Sequence, residues 1–509
     1  MMKRYILAIL ACCLLGLTAC YEDNSTLPTD ESTLNKIQIG ELRDTSVIAY
    51  SSVLKITPEV SGYADSELSY AWYIYGGQFS EQIQNGFRTV KISDQKTLSY
   101  EITLKQGKYT LVFEATSKMY GYSVTQEMGM QVLTPFAQGF YILKETADGN
   151  TELDIYNLTA KTLGTDVLTL TQGAPLSGAP RTLNTVYSKA YVDPETANPG
   201  DMITAFVAYG QNEFACFRTE DLLKVFDRSS LLFTEMEEDE IPYGMATAAM
   251  ANFYFSSKGV RTDGYGGNEY GTGKLGYPAG NGGSGLIQAC DGRGLLYWDI
   301  QNRRLMYASD GGTVNEVRYT GNDIVRENTE AIATGWNYLA GTNTVWYLLE
   351  DQTGQRYLAF VDKGYNITKV QRLELTSHLN RGQVVAGNGK TSLSIYVVDD
   401  NIIYRYNIED GSESQVKPEG LSVDGSITFL SNIFYGSSTF DYIVIGVQND
   451  NDYTLYAYNM IGGLPYGTPV HKTSGKGILK EVRYVSGIAP TFAPNLYPFY
   501  GMMGPDFPY

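Results

Sequence analysis

Histidine is nearly absent: His378 and His471 are the only two in 509 residues. That scarcity argues against a zinc site built on several imidazoles, and a serine nucleophile needing an imidazole base would have to recruit one of this pair. Both stand in loop-like surroundings, Thr376 to Asn380 and just after Pro469 and Val470, and read as surface or structural residues. Charge is sparse too, at 18% of residues, and it leans acidic, with a formal net charge of −18. No cluster of Lys and Arg occurs, so the basic face that nucleic acid requires is missing, and direct docking on anionic lipid is disfavoured. Five cysteines are present, of which Cys12, Cys13 and Cys20 crowd the N-terminus. The other two, Cys216 and Cys290, sit in apolar strings and read as buried thiols, with a disulfide between them as the alternative.

The N-terminus has the order of an export signal. Lys3 and Arg4 supply positive charge, Ile6 to Leu17 forms an apolar run, and the small Ala19 precedes Cys20. About 12 apolar residues are too few for a spanning helix, which needs about 20. Leu17-Thr18-Ala19-Cys20 has the lipobox pattern, so residues 1–19 are expected to leave as a signal peptide and Cys20 to carry the lipid. Loss of Lys3 and Arg4 takes the formal charge from −18 to −20. Residues 20–36, rich in Ser, Thr, Asp and Pro, read as a flexible tether.

From residue 37 to 134 short alternating segments mark strands at Val53 to Val60, Leu68 to Tyr75, Leu98 to Leu104, Lys108 to Thr116 and Thr125 to Val132. Short strands without a helical period predict a β-sandwich. Tyr70-Ala71-Trp72 places Trp72 in mid-strand as a core residue, and Gly107-Lys108-Tyr109 opens a later strand after a glycine turn. These two strings resemble PKD domains, an immunoglobulin-like module. Gly76-Gly77 stands where that module has an Asp-Gly turn.

The order of lipobox, Cys20-Tyr21-Glu22-Asp23, PKD-like module and then Pro135-Phe136-Ala137-Gln138-Gly139-Phe140-Tyr141 resembles the PKD-like lipoprotein family of Bacteroidota. The acids after Cys20 are similar to the surface-export signal of lipoproteins in that phylum. The resemblance implies an outer-membrane, cell-surface location and an association with glycan utilisation. It brings no catalytic residues.

From residue 135 to 509 hairpins recur. Leu153 to Asn157, Ile403 to Asn407 and Leu455 to Asn459 share a closing string, with looser copies at Phe214 to Arg218, Leu296 to Ile300 and Tyr357 to Asp362. Their ends lie about 60 residues apart on average, wider than the roughly 40 to 50 of a propeller blade. Adding a blade at Asn252 to Ser256 brings the spacing to about 50. The fold expected is therefore all-β: a PKD/immunoglobulin-like sandwich, then a β-propeller preferably of seven blades, six or eight being alternatives. Lys480 to Ile488, an alternating strand far along the chain, is expected to close the ring on the first blade.

No cofactor or metal site is legible. Asp450-Asn451-Asp452 and Asp399-Asp400 lack the glycine and terminal glutamate of an EF-hand loop and read as turns. The acidic run Glu235 to Glu240 reads as a solvated loop before Pro242. Arg261 to Gly285 holds ten glycines with Tyr265, Tyr270 and Tyr277, and reads as a ligand-contacting flap or a disordered insertion. Trp336 is assigned to a loop, where it would stack on a sugar face or pack on a neighbouring blade, whereas Trp298 and Trp346 are assigned to the core. These features favour a non-catalytic protein that binds a glycan, or partners such as an outer-membrane transporter complex, through Trp336, Tyr265, Tyr270 and Tyr277. Two alternatives stand beside it: a propeller lyase or glycoside hydrolase using channel carboxylates, and a protein-binding scaffold without glycan affinity. Convergent carboxylates in the channel would favour the enzyme.

Overall fold

The computed structural model describes residues 36–485, apart from 51–52, 80–81, 84–85, 88, 194–196, 249–250, 264–271, 284, 290–293, 320–328, 340–341, 363, 388–392 and 436. The leader, the tether and Cys20 lie outside the described residues, as do Tyr265, Tyr270 and Cys290. Two compact units divide the chain, Met1–Leu133 and Thr134–Tyr509.

In the first unit β1 (Thr45–Ile48), β2 (Leu68–Gly76), β3 (Val90–Ser93), β4 (Gly107–Ser117) and β5 (Ser123–Leu133) form one sheet in the order β1-β5-β4-β2-β3. All neighbours are antiparallel except β1 and β5. Val53–Ile56 pairs separately with Leu98–Glu101. Along β4, Tyr109, Leu111, Phe113 and Ala115 are buried while the residues between them are not. This period of two fixes the register, because a slip of one residue would expose the whole inner set. Phe113 stands opposite Trp72, whose ring is fully buried 4.8 Å from it and whose indole N–H donates to the Lys96 carbonyl at 3.2 Å. Trp72 is a core residue, as expected. The Gly76-Gly77 departure also has a cause: a Cβ on Gly77, at φ +50°, would fall 2.2 Å from the Tyr109 ring. The strands β1 and β3 were not anticipated, each being only four residues long with two apolar positions.

The second unit holds seven sheets among the described residues. Sheet one contains β6 (Gly139–Glu145), followed outward by Thr151–Asn157 and Thr162–Gly164. The other sheets begin with β7 (Pro180–Val192), β8 (Pro242–Ala248), β9 (Ile287–Ala289), β10 (Thr329–Leu339), β11 (Val384–Gly387) and β12 (Ser426–Tyr435). Each continues as an antiparallel meander in chain order; sheet three has three described strands, and the rest have four. The last strand, β13 (Ile478–Val485), returns to sheet one and pairs antiparallel with β6, from Gly139 opposite Val485 to Glu145 opposite Ile478. The expected pairing of this late strand with the first sheet is found, through Val485; residues 486–488 of the expected strand lie outside the described residues.

The second strand of each sheet explains the near-continuous apolar runs. In Gly294–Asp299 every residue is buried, because both faces are covered. Leu295 and Tyr297 join the core shared with sheet three, whereas Leu296 and Trp298 join the core shared with sheet five. Ile395 and Val397 face sheet five, and Tyr396 and Val398 face sheet seven. In sheet seven, Val444 and Leu455 pack with Phe140 and Ile142 of sheet one. Trp298 and Trp346 are buried in these cores, as expected.

The repeated strings are turn chemistry at strand ends. Asn157 accepts from the N–H groups of Thr159 and Ala160 at 3.0 and 2.9 Å; Asp362 and Asn407 do the same for the turns that follow them. Five of the six strings fall in third strands. Leu296 to Ile300 instead falls in a second strand, ending at Asp299, which caps the same kind of turn.

His471 lies in the strand Leu464–Lys476, not beside a loop. Its ring meets those of Phe140, Tyr156 and Tyr442 edge-on at centroid distances of 6.4, 5.8 and 5.8 Å, and its buried Nδ1 has no partner among the described residues. Burial, with Lys161 nearby, lowers its pKa from the ordinary 6.5. A depressed base contributes stability that is present above the unfolded pKa and is lost as pH falls through the folded one. The melting temperature is therefore expected to fall as pH drops below 6.5, and His471→Phe to flatten that slope. An identical slope in the variant would refute the assignment.

Candidate functional site

The innermost strands of all seven sheets, β7 to β12 together with β13, line one cavity of about 240 Å³. Its wall is polar without being strongly charged. Asn184, Thr185, Gln288, Thr334, Ser431 and Asn432 contribute amides and hydroxyls, and Glu481 and Arg483 are the only charged lining residues among those described. Tyr187, Met245, Trp336 and Phe429 supply the larger apolar surfaces.

Several lining groups are already used in holding strands together. Glu481 accepts from the Leu183 N–H at 2.6 Å, and Arg483 Nε donates to the Leu183 carbonyl at 3.1 Å. The two side chains, on one face of β13, are also ion-paired with each other. One residue of β7, Leu183, is thus held at both its N–H and its C=O by side chains of β13. Asn184 accepts from the Met245 N–H at 3.0 Å, linking β7 to β8. The hydroxyl of Thr185 is different: it is buried and has no partner among the described residues.

Small residues shape the wall where large ones stand behind it. A Cβ on Gly335 would lie 2.4 Å from the Trp346 ring, and one on Gly387 would lie 3.0 Å from it. Glycine at both places lets the buried indole come up to the inner strands.

Trp336 is in β10, not in a loop. Strand residues Thr334 to Trp336 read as a loop because Gly335 interrupts them, yet Gly335 is paired with Trp346 in the sheet. The Trp336 ring is half-buried, packs against the cores on both sides of sheet four and lines the cavity. Tyr277 is 83% exposed and does not line the cavity. The described part of the glycine-rich segment is packed rather than loose: Gly259–Thr262 is a strand, Leu275 is buried, and the buried Lys189 ammonium donates to the Gly273 carbonyl. The lining residues on β7 and β13 were not picked out from sequence. Two charges spaced by one residue, Glu481 and Arg483, inside the otherwise alternating strand Leu479 to Val485 are the signal that marks them.

The remaining polar centres are structural. His378 opens a single helical turn, His378–Arg381, rather than a loop; its Nδ1 lies 2.7 Å from Asp399, and its ring stacks on Tyr404 at 3.4 Å. Burial works against the Asp399 carboxylate, but the hydrogen bonds from His378 and Arg381 outweigh it and hold the pKa below the ordinary value. The acidic run is not wholly solvated, because Glu240 is fully buried against Arg261. Glu237 and Asp239 pair with Lys258. Cys216 is free and buried, and burial pushes its thiol up to about 12, out of the reactive range. Among the described residues no three potential ligands gather to hold a metal ion, and no helix is long and apolar enough to cross a membrane.

No curated protein matches this sequence. Among solved structures, the chain is similar to a quinonprotein alcohol dehydrogenase-like protein from Bacteroides thetaiotaomicron, at 16% identity over 88% of this chain and 99% of that one, with a TM-score of 0.47. A protein of unknown function from Bacteroides caccae is 13% identical over 55% of this chain and 98% of its own, at a TM-score of 0.32. A lectin solved with alpha methyl fucoside is 10% identical over 68% and 97%, at 0.30. Residues 20–180 match the PKD-like family, a stretch that takes in the strands of the first unit and, in the second, β6, Thr151–Asn157 and Thr162–Gly164.

Proposed function

We propose that the chain is a non-catalytic, lipid-anchored protein of the outer cell surface, whose second unit is a seven-bladed β-propeller that binds a glycan at its central cavity. The single observation carrying the reading is the composition of the wall lined by all seven inner strands: amides, hydroxyls and an aromatic ring, with one carboxylate already committed to Leu183 and Arg483. Amides and hydroxyls match the alternating donors and acceptors of sugar hydroxyls, and the Trp336 ring offers an apolar face. A glycosidase of the usual kind needs a second carboxylate facing the first. Among the described residues the lining contributes no second one, which favours binding over hydrolysis.

Anchoring follows from the lipobox at Cys20, and surface exposure from the acids that follow it. In this reading the protein serves a polysaccharide-uptake system beside an outer-membrane transporter. The test is a glycan array probed with the full-length protein in detergent, together with Trp336→Ala. Retention of a glycan, lost in the variant while its thermal transition persists, is expected. Failure to retain any glycan by folded protein would overturn the reading; co-purification of a transporter without a sugar requirement would move it to a protein-binding scaffold.

A further inference from the structure

Resting on the reading of the cavity as a sugar site, we infer that it takes a single neutral sugar residue and holds two neighbouring hydroxyls of that residue with Thr185 and Arg483. Thr185 lines the cavity, and its hydroxyl is buried and has no protein partner among the described residues. A buried hydroxyl left unpaired is costly, so the site calls for a polar atom supplied from within the cavity. Arg483 spends Nε on the Leu183 carbonyl and Nη2 on Glu481, and its remaining N–H groups have no acceptor among the described residues. Leu183 is two residues before Thr185 on β7, so the guanidinium and the hydroxyl belong to the same clasped stretch.

Charge selects a neutral ligand. Glu481 balances Arg483 in the wall, and an anionic sugar would bring its carboxylate against that of Glu481. Volume selects a small one: about 240 Å³ lies below the roughly 300–1,000 Å³ of pockets that hold drug-sized ligands. A partner's helix or strand does not fit, whereas one ring, either free or at a chain end, does. Its hydroxyls would face Thr185 and Arg483, with the Trp336 ring as an apolar side wall.

Calorimetric titration of the full-length protein in detergent with methyl glycosides of glucose, galactose and mannose, and with the corresponding uronides, tests the inference. At least one neutral glycoside is expected to bind more tightly than its uronide. Thr185→Val should weaken it by about tenfold or more and Thr185→Ser should restore it, both without lowering the thermal transition, because the hydroxyl makes no protein bond. Equal affinity in Thr185→Val, tighter binding of a uronide, or binding confined to longer oligosaccharides would overturn this inference and leave glycan binding itself standing. Retention of no glycan on the array would remove both.

Discussion

A chain ended after Gly477 is expected to lose the cooperative unfolding transition of its second unit, while a chain ended after Val485 keeps it. The missing strand, β13, buries Leu479, Val482, Tyr484 and Val485. Each large apolar side chain contributes roughly 1.5–3 kcal/mol when buried, so four amount to roughly 6–12 kcal/mol. That sum is comparable to the whole stability of a typical domain, about 5–15 kcal/mol. Two further losses accompany it. The ladder along β6 is left open, exposing an unpaired strand edge, and Leu183 loses both its acceptor on Glu481 and its donor on Arg483. Scanning calorimetry of the three chains should show the transition of the first unit retained in each and that of the second missing only from the shortest. An unchanged second transition in the chain ended after Gly477 would show that sheet one does not depend on β13.

Much of this architecture was legible because the signals were local. Alternation along Gly107–Ser117 and the aromatic position of Trp72 mark the main sheet of the first unit, and the Asn or Asp closing each hairpin marks a turn whose hydrogen bonds are made within a few residues. Strands of only four residues, such as Thr45–Ile48, are too short to show such a pattern; pairing with β5 sets the place of that one in the sheet. Leu296 to Ile300 reads as a copy of the same string yet falls in a second strand, because second and third strands can end alike, both closing in an aspartate or asparagine that caps a turn.

The cavity was less legible than the fold, for a physical reason. Its wall draws a few residues from each of seven strands spread between Asn184 and Arg483, and no local period links them. A glycine beside an aromatic, as at Gly335-Trp336, suggested a loop, whereas the glycine is there to admit Trp346 from behind the strand. Thr185 carried no sequence signal at all: its interest lies in a hydrogen bond left unmade among the described residues. Glu240 reads as one acid in an exposed run until its partner Arg261, on a separate strand, is in place.

Lys144→Met is expected to destabilise the second unit by about 3–5 kcal/mol, the usual cost of removing one partner from a buried ion pair. Lys144, with 3% of its side chain exposed, lies 2.7 Å from the fully buried Asp154 and 2.8 Å from the more exposed Asp166. Asp154 also accepts from the Tyr453 hydroxyl at 2.5 Å, joining sheet one to sheet seven, and from the Asp166 N–H at 2.8 Å. Without the ammonium, Asp166 can turn to water but Asp154 cannot. Burial already raises the Asp154 pKa, and in the variant nothing cationic opposes it. A carboxyl with a raised folded pKa contributes stability that is present below its unfolded pKa and is lost as pH rises through the folded value. The deficit of Lys144→Met relative to the parent should accordingly be larger at neutral pH than near the ordinary carboxyl value of 3.8. Adding Asp154→Asn to Lys144→Met removes the stranded charge yet keeps an acceptor for Tyr453, so the double variant should be more stable than Lys144→Met alone. Urea unfolding of the parent, both single variants and the double variant at two pH values measures the coupling directly. Losses that merely add, with no dependence on pH, would mean that the pair does not act as a unit.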